Sequence, residues 1–146
     1  MTDIVDKKTR SRMMAGIRSK DTRPELLVRK FLHSKGFRYR LHDKKLPGSP
    51  DIVLRKHHLA IFVHGCFWHR HKGCRYATTP AQNRSSWLLK FKQNKERDNK
   101  QIRLLLDEGW RVVVIWECGL KTHLLDISWL PVFVKSGRTA YLEWPT

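Results

Sequence analysis

Three cysteines and two histidines have the residue types and spacing of a metal site. They are Cys66, His69, His71, Cys74 and Cys118. Taken together, Cys66, His71, Cys74 and Cys118 form a closed set of three thiols and one imidazole, which is a ligand set of structural zinc. The odd number of cysteines argues against a disulfide framework. The alternative is that the cysteines are small buried apolar side chains, but this would leave the glycine- and charge-rich segment 64–84 without a source of order.

A second group has the chemistry for phosphodiester hydrolysis. Asp51 follows Pro50 at the start of one apolar run and His64 ends the next, so two neighbouring strands would bring them together. Such hydrolysis uses a carboxylate that holds Mg²⁺, a group that activates water, and positive charge beside the phosphate. Asp51 can be the carboxylate, a backbone carbonyl near Val63 a further oxygen ligand, and His69 the base. Alternatively, Asp51 is a turn residue after proline and His64 an ordinary strand-end histidine.

A capped helix precedes these residues. Thr22 and Glu25 have the spacing of a capping box, and Pro24 fits a first helical turn. Apolar residues then repeat at helical spacing as far as Gly36, which would end the helix. The capping box already explains Glu25, so a catalytic role for its carboxylate competes with a structural one.

The rest of the chain predicts a sheet with helices packed against it. A long helix is predicted from Ser85 to about Asp107, where Gly109 stops it. The order of elements predicts an α/β fold built on a mixed central sheet. The predicted strands cover 37–41, 51–54, 59–63 and 111–116.

The amino-acid composition indicates which class of partner the protein binds. Thirty Lys and Arg against thirteen Asp and Glu give a net charge of +17, which favours a polyanion such as nucleic acid over a role in solubility alone. A hydrophobic content of 40% excludes a disordered chain. Without a long apolar run or an apolar N-terminal signal, we expect no membrane partner and a cytoplasmic location.

We treat 1–146 as one domain, with a basic arm over 1–20 and a segment over 121–146 that could be helix or hairpin.

Six short segments resemble one protein family in their order and natural spacing. They are 8–11 (KTRS), 46–51 (LPGSPD), 63–69 (VHGCFWH), 96–98 (ERD), 109–112 (GWRV) and 116–118 (WEC). Over about residues 6–120 the chain resembles the Vsr family, the bacterial very-short-patch mismatch repair endonucleases. The resemblance implies a restriction-endonuclease-like (PD-(D/E)XK-type) fold with a structural zinc site. It also implies a Mg²⁺-dependent enzyme that nicks one strand 5′ to the T of a T·G mismatch left by deamination of 5-methylcytosine.

The resemblance implies roles for residues around the magnesium ion. Asp51 would bind Mg²⁺ through its carboxylate, and position 63 would contribute its backbone carbonyl. Family members often carry Thr there, and Val63 keeps the carbonyl but loses the hydroxyl. Glu25 would reach metal-bound water. The implied zinc set is the one derived above, although the segment between His71 and Cys74 is one residue longer than the family pattern.

The remaining catalytic roles that the resemblance implies fall on three side chains. His69 would be the general base, and Asp98 would orient it. His64 takes the position where related nucleases carry a lysine, so it would contact the phosphate.

DNA recognition is implied at five further positions. Phe67 and Trp68 would wedge between base pairs beside the mismatch, with Met14 entering from the arm, at a cost of a few kcal/mol of unstacking per step. Lys90 and Asn94 share one helix face and would hydrogen-bond the mispaired bases. The alternatives are a small aromatic core over the zinc site, an ordinary helix methionine and a solvated helix surface.

The expected partner is double-stranded DNA containing a T·G mismatch, bound by a monomer. The resemblance adds a functional link to a DNA cytosine-5 methyltransferase and to mismatch-repair proteins. Two other functions stay open at this point. One is a catalytically inactive, zinc-stabilised DNA-binding module, and the other is a restriction-type nuclease that cuts matched duplex.

Overall fold

The computed structural model describes residues 22–122 and 126–145, so the predicted arm, with Met14, lies outside the described residues. Within them the helices are α1 (Arg23–Ser34), α2 (Cys66–His69), α3 (Arg84–Asp107), α4 (Glu117–Thr122) and α5 (Trp129–Ser136). The strands are β1 (Arg40–Leu41), β2 (Ile52–Leu54), β3 (Leu59–His64), β4 (Arg111–Trp116) and β5 (Tyr141–Trp144), and a 3₁₀ turn covers Arg55–His57.

The strands form one mixed sheet in the order β1-β2-β3-β4-β5. β1, β2 and β3 pair antiparallel, whereas β4 runs parallel to both β3 and β5. Ile52 lies opposite Ile61, and His64 lies opposite Trp116. The start of β2 therefore meets the ends of β3 and β4 at one edge of the sheet, and the predicted mixed α/β fold is confirmed.

Helices cover both faces of this sheet. On one face α1 and α5 bury Val28, Leu32, Leu130 and Val134 against the strands. On the other face Leu105 of α3 packs with Phe62 and Cys66. Because successive strand residues point to opposite faces, Ile61 and Val63 join the first layer while Phe62 joins the second. The end of β3 thus supplies neighbouring residues to two different sides of the molecule.

The two glycines predicted to end helices do so, and one strand is shorter than the sequence predicts. Gly36 and Gly109 both adopt positive φ, at +84° and +86°, directly after α1 and α3. The N–H of Phe37 donates to the carbonyl of Leu32 at 3.1 Å. Since this bond closes the end of α1, the predicted strand over 37–41 is reduced to the two residues of β1.

Two regions whose structure the sequence left open, 64–84 as a loop and 121–146 as helix or hairpin, contain regular elements. The segment 64–84 includes the short helix α2, and the region after 121 includes α5 and β5. β5 extends the sheet by pairing with β4 over Val112–Ile115. None of the helices in the described ranges has the length and apolar character needed to cross a bilayer.

Candidate active site and metal centre

A cleft of about 1050 Å³ opens at the edge of the sheet where β3 ends. Its wall combines the loop after β1, the start of β2, the end of β3, α2 and α3. Lining residues from these distant segments include Asp51, Val63, His64, His69, Lys90 and Asp98. The fold therefore brings four of the five predicted catalytic residues, all except Glu25, and both predicted base-reading residues to the wall of a single cavity.

Asp51 precedes β2 and directs its carboxylate at the end of β3. Its Oδ2 accepts a hydrogen bond from the backbone N–H of Val63 at 2.7 Å. Burial raises the pKa of Asp51 to about 8; the carboxylate of Glu25 adds to the rise, whereas the N–H of Val63 opposes it. A carboxylate that is this costly to ionise alone is one that a divalent cation would stabilise strongly.

Glu25 turns away from solvent toward Asp51. Its backbone N–H donates to Oγ1 of Thr22 at 3.4 Å, as the predicted cap requires, yet its side chain is almost fully buried, with the residue 1% exposed. Oε2 of Glu25 lies 3.7 Å from Arg29 Nη1 and 3.4 Å from Nε2 of His42. The cap is therefore formed by Thr22, whereas the Glu25 carboxylate is buried beside Arg29, His42 and Asp51.

His42 completes a cluster that the sequence did not reveal. Its Nδ1 lies 3.9 Å from Oδ1 of Asp51, and its backbone N–H donates to the backbone carbonyl of Asp51 at 3.2 Å. One ligand atom from each of Glu25, His42 and Asp51 falls within 4.8 Å of the others. We call these three residues the carboxylate cluster. Only the position of His42 directly after a predicted strand could have hinted at it.

Two histidines and an aspartate form a second group in the cleft. Nδ1 of His69 lies 2.6 Å from Oδ2 of Asp98 on α3, and the His69 ring stacks on His64 with a centroid distance of 3.9 Å and an angle of 6°. Asp98 can hold the His69 imidazole in one tautomer, which leaves Nε2 available as an acceptor.

His64 lies in the wall of the cleft, directly against the His69 ring. It is only 6% exposed, and burial, followed by the nearby His69, lowers its pKa well below the ordinary value. Burial therefore favours the neutral ring, which can still donate one N–H to a phosphate oxygen. The phosphate contact of His64 stays a prediction, and the stack shows in addition that its ring supports the ring of His69.

The four predicted zinc ligands converge. Cys66, His71, Cys74 and Cys118, which we call the thiolate cluster, offer ligand atoms that all lie within 4.8 Å of one another. Nδ1 of His71 is 3.4 Å from Sγ of Cys118 and 3.9 Å from Sγ of Cys66. Tetrahedral zinc with ordinary bond lengths separates nitrogen and sulfur ligands by about 3.6 Å. The donor set and its spacing therefore fit a single tetrahedral ion.

Local structure explains how the loop tolerates its extra residue. The N–H of Cys74 donates to the carbonyl of His71 at 3.2 Å, and Gly73 between them has a φ of +72°.

Burial raises the pKa of the Cys66 and Cys118 thiols. Burial acts in the same direction on Cys74, but hydrogen bonds such as that from the Tyr76 backbone outweigh it and lower its pKa. A cation would supply the charge that the two buried thiolates need.

The predicted wedge residues belong to an aromatic cluster of Phe67, Trp68, Trp87 and Phe91. Phe67 contacts the other three rings with centroid distances of 5.1 to 5.6 Å, and Trp68 lies 5.8 Å from Trp87. Phe67 and Trp68 are half-buried rather than fully exposed. Trp87, at the start of α3, was missed because an aromatic residue in a helix is usually interpreted as core.

The predicted base-reading residues lie beside this aromatic cluster. Nζ of Lys90 is 5.1 Å from the centre of the Trp68 ring, and Nδ2 of Asn94 donates to the Trp68 carbonyl at 3.4 Å. Both side chains line the cleft. The rings, the lysine and the amide therefore present one surface next to the histidine pair.

Comparisons with known proteins agree with one another. A family model described as DNA mismatch endonuclease Vsr matches residues 2–75. The type II nicking enzyme V.XorIIP of Xanthomonas oryzae pv. oryzae is 49% identical over 120 residues, covering 82% of this chain and 88% of that protein. V.NmeAIP of Neisseria meningitidis serogroup A, also named a type II nicking enzyme, is 50% identical over 125 residues, covering 86% and 89%. The DNA mismatch endonuclease Vsr of Escherichia coli strain K12 is 42% identical over 121 residues, covering 83% and 77%.

Proposed function

Because the chain belongs to the family of the DNA mismatch endonuclease Vsr, we propose that it hydrolyses one strand of mismatched duplex DNA. We propose further that the preferred mismatch is T·G and that the nick falls 5′ to the T, starting very-short-patch repair. The observation that carries this proposal is one cleft that holds the Asp51–Val63 hydrogen bond, the His69–Asp98 pair and two rings of the aromatic cluster, Phe67 and Trp68.

Magnesium is the proposed catalytic cation. The carboxylate of Asp51 and the main-chain carbonyl of Val63 would hold it, and Glu25 would hydrogen-bond its water. These are oxygen donors, which Mg²⁺ prefers, and the open cleft leaves room for the waters it retains. When bound, the ion would stabilise negative charge on the phosphate. Val63 can replace Thr here because the donor is the main-chain oxygen.

His69 is the proposed general base. Its hydrogen bond to Asp98 fixes the proton on Nδ1, so Nε2 can take a proton from the attacking water. His64 acts through His69, because the stack of the two rings fixes the plane of the base. His64 also lines the cleft, so we propose that it contacts the phosphate as the resemblance implies, in addition to supporting the His69 ring.

The thiolate cluster is proposed to hold a structural zinc ion. Four protein donors, three of them sulfur, suit zinc and leave no position for substrate. The ion would join the segment after β3 to Cys118 in α4. Since α2 carries Phe67, Trp68 and His69, this link would also hold the wedge and the base in place.

The aromatic cluster is proposed as the mismatch sensor. Phe67 and Trp68, with Met14 from the arm, would enter the base stack at a step that the mismatch already weakens. Lys90 and Asn94 would then hydrogen-bond the mispaired bases. The net charge of +17 supports a further sequence-independent attraction to phosphates.

The wider proposals rest on the family resemblance. We propose a single restriction-endonuclease-like domain over 1–146, with 1–20 as a DNA-contacting arm, acting as a monomer on cytoplasmic DNA. A DNA cytosine-5 methyltransferase would create the sites at which deamination produces the T·G mismatch, and mismatch-repair proteins would share the task of removing it.

A nicking assay tests the function directly. Purified protein, with Mg²⁺, is incubated with duplexes that differ only in one T·G or T·A pair, and both strands are labelled separately. We expect a nick 5′ to the T in the T·G duplex alone. Equal nicking of both duplexes would favour a restriction-type nuclease instead. Binding without nicking would favour an inactive DNA-binding module.

A further inference from the structure

The end of β5, with Pro145 directly after it, contacts the thiolate cluster, although the four predicted ligands lie elsewhere in the chain. Nε2 of His71 lies 3.1 Å from the carbonyl oxygen of Pro145. A carbonyl can only accept a hydrogen bond, so Nε2 must be the protonated nitrogen of this imidazole. The other nitrogen, Nδ1, then keeps its lone pair. Nδ1 is also the atom that lies 3.4 Å from the sulfur of Cys118.

A second contact from β5 reaches the same ring through Trp116. The His71 ring stacks on Trp116 with a centroid distance of 4.4 Å and an angle of 10°. The indole N–H of Trp116 donates to Oε1 of Glu143 at 2.6 Å, and Oε2 of Glu143 lies 3.3 Å from the hydroxyl of Tyr141. Both oxygens of this carboxylate are thereby engaged, which fixes the surface on which His71 rests.

The close packing of β5 against α4 keeps these contacts in register. A Cβ on Gly119 would lie only 2.6 Å from the Trp144 ring and 2.7 Å from Cδ of Pro145. Gly119 follows the metal ligand Cys118, so the strand end is seated directly against the cluster. Only a residue without a side chain allows this approach.

From these contacts we infer that the end of β5 is part of the metal centre. The Pro145 carbonyl selects the tautomer in which His71 binds through Nδ1, and Glu143 holds the Trp116 ring that fixes its plane. Both residues are positioning residues that act through His71. Groups that hydrogen-bond a metal-binding histidine commonly change metal affinity 10- to 100-fold when they are lost. Glu143 acts one step further away, so about tenfold is expected for it.

The same indole touches the catalytic side of the molecule. The Trp116 ring meets His64 edge-on with a centroid distance of 5.3 Å, and His64 carries the His69 ring. Trp116 thus lies between the metal ligand His71 and the proposed base. The seating of β5 is therefore expected to influence both, the metal centre first.

Nitrogen NMR of the full-length protein loaded with zinc tests the tautomer directly. Long-range proton–nitrogen correlations report which ring nitrogen of His71 carries a proton and which binds the ion. We expect a protonated Nε2 and a metal-bound Nδ1. Metal-bound Nε2 would overturn the inference. The inference rests on the proposed zinc role, and its readout is therefore metal binding rather than nicking. A protein that binds no zinc would contradict the proposed zinc site, whereas zinc bound through Nε2 would contradict this inference alone.

A matched pair of variants tests the role of Glu143. Glu143→Gln keeps an oxygen that accepts from Trp116, whereas Glu143→Met has similar length and no such acceptor. In competition with a chromogenic chelator, we expect Glu143→Met to hold zinc about tenfold more weakly and Glu143→Gln to match the parent protein. The visible spectrum of the cobalt-substituted Glu143→Met protein should also change. If both variants retain the parent zinc affinity, or both lose it equally, Glu143 does not position His71.

Discussion

The carboxylate cluster and the thiolate cluster both gather ligand atoms within 4.8 Å, yet they suit different tasks. The carboxylate cluster offers four carboxylate oxygens and one imidazole, and its Asp51 and His42 line the cleft. The thiolate cluster offers three sulfurs and one nitrogen, and three of its four residues are buried. An open set of hard donors leaves coordination positions for water and phosphate, whereas a closed set of soft donors fixes structure.

Both clusters depend on the end of β3. Val63 hydrogen-bonds Asp51 on the side of α1, whereas Cys66 packs in the layer that α3 covers. Val63 still belongs to β3, whereas Cys66 opens α2, so the chain turns from strand to helix between them. A stretch of four residues, 63–66, thereby contacts one cluster and supplies a member of the other.

The largest expected effect comes from Asp51→Asn, which keeps the shape and an acceptor for Val63 but removes the charge. We expect nicking of a T·G duplex to fall by about 10³-fold or more, because stabilisation by a bound cation contributes several kcal/mol. Zinc content, measured by atomic absorption, should stay at that of the parent protein. Loss of zinc together with activity would mean that the two clusters are not independent.

The next largest effect is expected for His69→Ala. Loss of a general base typically costs 10²- to 10⁴-fold, and we expect about 10²-fold in single-turnover nicking because water remains accessible in the cleft. Asp98→Asn should cost less, since the base remains and only its orientation is weakened. Duplex affinity, measured separately, should change little in either variant. An Asp98→Asn loss larger than that of His69→Ala would contradict the assigned roles.

The thiolate cluster was predictable because its evidence is chemical. Cysteine and histidine are uncommon residue types, and a small basic chain has little other use for three cysteines and a histidine at this spacing. Their types and spacing therefore predicted the set. The long helix α3 was predictable for a local reason, since Gly109 ends it with positive φ. The apolar run 111–116 likewise predicted β4 with its observed bounds.

The carboxylate cluster was only half predictable because its geometry is not local. His42 reaches Asp51 through the pairing of β1 with β2. The alternation over 37–41 predicted a strand there, but it did not indicate that the residue after the strand would face Asp51. The strand β5 was missed for a similar reason. Its partner β4 is parallel and about 30 residues away along the chain. Parallel strands are not joined by a tight turn, so no turn residues in the sequence indicate that these two strands pair.

The pH dependence of cation binding is the third prediction. With the pKa of Asp51 near 8 in the metal-free protein, a bound Mg²⁺ must displace a proton at lower pH. Apparent Mg²⁺ affinity should therefore rise by up to about tenfold per pH unit from pH 6 and level off above 8, as measured by calorimetry. Without added Mg²⁺, stability should fall from about pH 4 to 8, because the folded protein retains a proton that the unfolded chain has lost. Asp51→Asn should remove both effects, and an unchanged profile in that variant would assign them elsewhere.

The smallest expected effect comes from Lys90, and it tests whether this residue of the cleft contacts a base or a phosphate. Lys90→Met keeps the aliphatic stem against Trp68 but removes the ammonium group, while Lys100→Met removes an exposed charge from another side of α3. A base contact contributes about 1–3 kcal/mol of discrimination, so Lys90→Met should lower the preference for T·G over T·A about fivefold. Lys100→Met, the matched control outside the cleft, should leave the preference for T·G over T·A unchanged, and any loss of affinity should be equal for both duplexes. Equal losses on both duplexes from Lys90→Met would make Lys90 a phosphate contact, and the selectivity of the cleft would then depend on its aromatic cluster alone.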